Sequence, residues 1–254
     1  MPVDRQLSAR PIFIVGAPRS GTTLMRSILD AHPEIFCPAW ETGLFVHFDE
    51  MLNGDLLKVM RVEGPHFPLS RADVIDWVRR SAEDMMGLFA AKAGKPRWAE
   101  KTPAHVYNMR LITEAFPECQ FIHMIRDGYE VVRSLQNMPW APRQIHWSTS
   151  RWTSSIAAGR ECGAELGVAR YVEVRYEDLT KRAEPTLRKV CEFLDEPFAE
   201  QMLAFDRAEN NSWGATQKPL QDKPVNKHRD LGPMERLVFR LKGGRLQREL
   251  GYGR

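Results

Sequence analysis

The chain has 254 residues, 43% of them hydrophobic and 27% charged, with a net charge of +3. These values fit an ordinary globular protein built as one domain and exclude a disordered or fibrous chain. The mild positive balance falls far short of the basic excess of a nucleic-acid binder, and no run of about 18 apolar residues marks a membrane span. The opening MPVDRQLSAR lacks the apolar core of a secretory leader, so the expected location is cytoplasmic. Cys37, Cys119, Cys162 and Cys191 are scattered and form no C-x-x-C pair, which argues against a zinc site and a disulfide framework and for reduced, buried thiols.

In chain order, PIFIVG (residues 11–16) is a short apolar run that ends in glycine and predicts a strand, and TLMRSILDAH after the loop predicts a helix. Residues 44–94 are mostly helical in pattern, with the breaker-rich EGPHFPLS in their middle, and are expected as an inserted helical cap. RWAEK (97–101) predicts a strand, and Thr102-Pro103 starts a helix over AHVYNMRLITEAF. QFIHMI (120–125) predicts the next strand, followed by a helix in YEVVRSLQN. MPWAPRQIHW (138–147) is expected as a loop or lid. RYVEVRYEDL (170–179) alternates as a strand and leads into the amphipathic PTLRKVCEFL. The chain is then irregular from Asn210 to Gly232, a length that is more often functional than idle, before a last helix over MERLVFRLKGGRLQREL. Strands alternating with helices predict an α/β fold: a P-loop-like, doubly wound parallel sheet of four to five strands flanked by helices.

In such a sheet ligands bind outside the carboxyl ends of the strands. That rule brings together Arg19, Ser20, Thr22 and Thr23 after the first strand, Lys101 at the end of the second, Arg126 after the third with Ser134 on the following helix, and Tyr176 near the end of the fourth. GAPRSGTT (16–23) nearly spells the nucleotide loop G-x-x-x-x-G-K-[ST], but Thr22 stands in the lysine position. Gly16 and Gly21 permit a tight turn whose N–H groups, with the helix beginning near Thr22, receive an anion. The missing lysine, and a third strand that ends in arginine rather than a metal-holding carboxylate, point to a single 5′-phosphate-type group and no metal.

APRSGTTLMRSILDAHP resembles the 5′-phosphosulfate loop of sulfotransferases that use 3′-phosphoadenosine 5′-phosphosulfate (PAPS), and FIHMIRDGYEVVRSL resembles their 3′-phosphate motif. AEKTP, VRYEDL with FLDEPF, and DKPVN are similar in content and order to bacterial and tyrosylprotein sulfotransferases. The resemblance runs from about Pro11 to Asn226 and is poor over 44–94 and 138–165. It implies that Arg19, Ser20, Gly21, Thr22 and Thr23 hold the 5′-phosphosulfate and that Arg126 and Ser134 hold the 3′-phosphate. Tyr176 would brace the site together with Asp178, and Lys223 in DKPVN would close over the phosphates. Lys101 would stabilise the leaving group, and Glu41 in WETG would be the base for the acceptor hydroxyl. WETG departs from the paired acids of the family, and His32 and His105 stay open as alternatives, because the cytosolic branch uses histidine. The reaction implied is sulfuryl transfer from PAPS, leaving 3′-phosphoadenosine 5′-phosphate (PAP), to a hydroxyl of a small molecule or peptide, phenols included.

Each of these residues also has a plainer reading. Glu41 reads equally as a solvated glutamate at a helix start, and Lys101 as a surface charge. His123, alternating within a buried strand, reads as a satisfied core histidine, and Trp152 on a helix as core, whereas Trp140 and Trp147 are candidates to cover an acceptor. Two other functions remain open: an ATP-dependent nucleoside kinase, which would need Mg²⁺ and a lysine in the loop, and a catalytically silent nucleotide-binding module.

Overall fold

The computed structural model describes residues 10–53, 71–204 and 230–253. Its sheet has five parallel strands: β1 (Ile12–Gly16), β2 (Ile35–Phe36), β3 (Arg97–Lys101), β4 (Gln120–Ile125) and β5 (Tyr171–Arg175), in the spatial order β2-β3-β1-β4-β5. After β1 the chain moves to one side, through helix α1 (Thr22–Asp30), to β2 and back to β3. After β3 it crosses β1 to reach β4 on the other side. The loops after β1, β3 and β4 therefore diverge at one carboxyl edge, which is where a doubly wound sheet opens a crevice.

Strands β1, β3 and β4 are buried along their whole length, as expected of parallel strands covered on both faces. Because successive side chains alternate, Phe13 and Val15 point to one face and Ile12 and Ile14 to the other. Phe13 sits in an aromatic cluster with Phe45 and Trp98, at ring distances of 5.6 and 5.7 Å in edge-to-face geometry. On this face lie α2 (Leu44–Asn53), α3 (Arg71–Lys92) and α4 (Met109–Ala115), contributing Phe45, Phe48, Val78, Met86 and Ile112. The predicted cap region thus packs its helices onto the main core. The opposite face is covered by α1 and α8 (Ala183–Leu194), through Met25, Ile28, Leu29, Leu187 and Val190.

A third cluster joins α5 (Gly128–Gln136), α6 (Ile145–Leu166) and the C-terminal α9 (Pro233–Glu249) around the fully buried Trp152. His123 is also fully buried; its Nδ1 lies 2.6 Å from the Tyr171 hydroxyl, and burial lowers its pKa to about 4, so it is a neutral core histidine at ordinary pH. All four cysteines are buried and unpaired. Among the described residues no helix is long and apolar enough to cross a membrane.

Several elements differ from expectation: the loop expected over 138–147 ends at Gln144, and α6 begins at Ile145. The predicted strand over 170–179 stops at Arg175, and Tyr176–Lys181 form a helix, α7. Glu177 and Asp178 lie in its first turn, where carboxylates favour a helix N-terminus. The helix expected from Ala104 to Phe116 is split into a 3-10 turn, Pro103–Tyr107, and α4, with a break at Asn108. The two-residue β2 is too short to leave a pattern in sequence.

Candidate active site

The loop between β1 and α1 owes its shape to residues that tolerate left-handed backbone. Gly16 has φ 145°, and a Cβ there would lie 2.7 Å from the carbonyl oxygen of Met124 on β4. Gly21 has φ 96°, and a Cβ would meet the Tyr176 ring at 2.4 Å. Arg19, a non-glycine, is held at φ 73°, the kind of strained conformation that a surrounding structure maintains at functional loops. Helix α1 then begins with no acid in its first turn, and among the described residues no side chain is bonded to its first N–H groups. Its positive end is left for an outside anion. Ser20 is fully buried and its hydroxyl has no partner among the described residues, while Thr22 is buried in the first turn and Thr23 is exposed.

Arg126 follows the end of β4 and reaches back to the loop, donating from Nη1 to the Arg19 carbonyl at 3.0 Å and stacking over Tyr176 at 4.3 Å. Arg19 in turn donates from Nε to the Ser134 hydroxyl at 3.0 Å. Tyr176 thus touches both Gly21 and Arg126 and locks the two loops together. Burial first, and the adjacent Arg126 charge second, hold the Arg19 guanidinium below its ordinary pKa. Among the described residues, the nearest carboxylate contact of Arg126, to Glu130, is 4.0 Å. Two partly desolvated arginines lie side by side with little neutralisation, an arrangement that a doubly charged anion would relieve.

At the end of β3, Lys101 is only 4% exposed, and its Nζ lies 2.5 Å from Oε1 of Glu41, which is 44% exposed. The segment carrying Glu41 is fixed from behind by Glu100, which points away from the site. Glu100 Oε1 accepts the Thr42 N–H at 3.2 Å and the hydroxyls of Thr42 and Thr102 at 2.8 and 2.6 Å. Thr102 also accepts the Gly43 N–H at 3.1 Å. Burial opposes ionisation of Glu100, but His105 and the two hydroxyls outweigh it and keep its pKa low.

Both alternative histidines are fully buried. His105 accepts the Phe45 N–H at Nε2, 3.2 Å, which leaves Nδ1 to face Glu100 at 2.8 Å. His32 accepts the Glu34 N–H at Nδ1, 3.1 Å, and its Nε2 lies 2.8 Å from the Pro197 carbonyl. Asp178 lines a groove between β5 and α8 rather than the phosphate loop. Lys223 lies outside the described residues. The structure therefore brings Arg19, Ser20, Gly21, Thr22, Arg126, Ser134 and Tyr176 together and sets the Glu41–Lys101 pair at the same sheet edge. Glu100 and Thr102, absent from the sequence reading as positioning groups, were within reach of it, because they flank Lys101 in AEKTP.

Residues 11–200 match the model of the sulfotransferase family. The protein-tyrosine sulfotransferase of Drosophila melanogaster is 31% identical over 246 residues, covering 91% of this chain and 48% of that one. Protein-tyrosine sulfotransferase A of Caenorhabditis elegans is 29% identical over 200 residues, covering 76% and 51%. The chain spans about half the length of these two relatives. The sulfotransferase domain of the Synechococcus PCC 7002 olefin synthase superposes with a TM-score of 0.63 at 22% identity, covering all of this chain and 98% of that one. A mouse sulfotransferase complexed with PAP superposes at 0.51 with 15% identity, covering 98% and 90%. At these identities the two structures speak for the fold, and the family match speaks for descent: this chain belongs to the sulfotransferase family.

Proposed function

We propose that the chain transfers the sulfuryl group of PAPS to a hydroxyl-bearing acceptor and that the acceptor is a tyrosyl side chain in a peptide. The observation that carries this reading is the linked set Arg19, Ser134 and Arg126, a second cationic point beside a phosphate loop. A donor with phosphate at both 5′ and 3′ positions needs two such points, whereas ATP needs one. The buried Ser20 hydroxyl and the start of α1, both without a capping or bonding side chain among the described residues, fit a 5′-phosphosulfate. Thr22 and Thr23 would add donors there, Arg126 and Ser134 would hold the 3′-phosphate, and Tyr176 would keep the two loops in register.

When bound, PAPS supplies an activated sulfuryl group on a phosphate leaving group. Glu41 receives the acceptor hydroxyl proton on its carboxylate, and the Lys101 ammonium holds that carboxylate in place while presenting positive charge at the sheet edge. The exposed Trp40 ring, next to Glu41 in the chain, offers an aromatic surface to a phenol. The names of the curated relatives support the tyrosyl acceptor, and the unpaired cysteines support a cytoplasmic location. Incubation with labelled PAPS and a panel of tyrosyl peptides, simple phenols and aliphatic alcohols tests the acceptor. Label is expected on the tyrosyl peptides; transfer confined to the alcohols would contradict a phenolic acceptor.

A further inference from the structure

Three backbone polar groups of the turn that presents Arg126 are held by side chains from elsewhere in the chain. The Arg126 carbonyl accepts the Trp152 indole N–H at 3.3 Å. The Asp127 N–H donates to Oε1 of Glu177 at 3.1 Å, and Oε2 of the same carboxylate accepts the Tyr252 hydroxyl at 2.8 Å. The Gly128 N–H donates to Oε1 of Gln247 at 3.0 Å, and the Nε2 of that amide donates to Asp127 Oδ1, also at 3.0 Å. Asp127 Oδ1 is itself the N-cap of α5, accepting the N–H groups of Tyr129 and Glu130 at 2.8 and 3.3 Å. A single primary amide thus spans the Asp127–Gly128 peptide from α9, about 120 residues later in the chain, and is 7% exposed.

The clasp is seated firmly. Phe239 of α9 packs on Trp152 with 5.9 Å between ring centroids, and Gly243 lets the helix approach so closely that a Cβ would lie 3.2 Å from Thr149. Beyond the helix, Arg175 of β5 donates to the Leu250 carbonyl at 2.5 Å and stacks on Tyr252 at 4.9 Å. Helix α9 lies outside the residues that match the family model.

We propose that Gln247, supported by Tyr252, is a positioning residue for recognition of the 3′-phosphate. The inference rests on the assignment of that phosphate to Arg126 and Ser134. One residue precedes α5 by two positions and the other projects from its second turn, so a shift of the turn moves both contacts at once. The 5′ loop keeps its own glycines, its own helix terminus and Ser20. Loss of the clasp is therefore expected to weaken recognition of the 3′ group selectively.

The test is calorimetric titration of the full chain with PAP and with adenosine 5′-phosphate, for wild type, Gln247→Met and Tyr252→Phe, with thermal unfolding measured alongside. Gln247→Met keeps the volume and removes both hydrogen bonds. It is expected to weaken PAP about tenfold, the equivalent of ~1.4 kcal/mol, and adenosine 5′-phosphate less than about twofold. Tyr252→Phe removes one hydroxyl, leaves the ring stacked on Arg175, and is expected to lower the preference for PAP about threefold. It carries the test alone if Gln247→Met does not fold. An unchanged ratio of the two affinities in the folded variants, with a discriminating wild type, would overturn the role of the clasp and leave the 3′-phosphate assignment standing. A wild type that binds the two nucleotides equally would overturn both.

Discussion

Glu41→Gln is expected to lower turnover by about two to four orders of magnitude, the range that a positioned proton acceptor contributes, while PAP binding stays within about twofold of wild type. The separation follows from geometry. Among the described residues Glu41 meets the site through Lys101, and its partly exposed carboxylate is assigned to no phosphate. Glutamine is the informative substitution because it leaves a carbonyl oxygen for the nearly buried Lys101 ammonium; alanine would strand that charge and confuse loss of chemistry with loss of structure. Stability is expected to fall by about 1–3 kcal/mol, because the nearly buried Lys101 ammonium loses its counter-charge and keeps a hydrogen bond alone. Steady-state rates at saturating donor, with calorimetry on the same preparation, read both halves. Unchanged turnover would move the base elsewhere, and the two fully buried histidines, His32 and His105, make poor successors.

Arg126→Ala is expected to weaken PAP by about 100-fold or more and adenosine 5′-phosphate by no more than about fivefold. A paired arginine–phosphate contact is worth about 3 kcal/mol when both bonds are made to a charged group, which sets the larger figure. The smaller one reflects the bond from Arg126 to the Arg19 carbonyl and its stacking on Tyr176, both of which steady the 5′ loop. Titration of both nucleotides into the variant measures the two losses separately. Equal losses would show that Arg126 serves the loop as a whole and not the 3′ group.

Much of the fold was legible because its central strands bury both faces. RWAEK and QFIHMI coincide with β3 and β4 residue for residue, and the glycine-bounded PIFIVG with β1 to within one position. Apolar runs closed by turn residues carry that information locally. Where local signals competed, they misled: VRYEDL keeps a period-two alternation past Arg175, but two acids at a helix start and packing of Leu179 into the core turn the chain helical from Tyr176. The phosphate loop was readable for the same reason as the strands, since its glycines and hydroxyls lie within eight residues. The supports of the site were not. Glu100 and Thr102 flank Lys101 in the sequence, but Glu100 reaches Thr42 across 58 residues and Gln247 reaches Asp127 across 120; such pairings exist only once the sheet has brought distant segments together.

Calorimetric titration of the wild-type chain with PAP in the absence of metal, beside ATP with Mg²⁺, tests the central claim most directly. Two cationic points, a loop with threonine in the lysine position and a buried serine hydroxyl without a partner among the described residues predict tight PAP binding and no comparable heat from Mg-ATP. A preference for Mg-ATP would contradict the sulfuryl-transfer reading of this site.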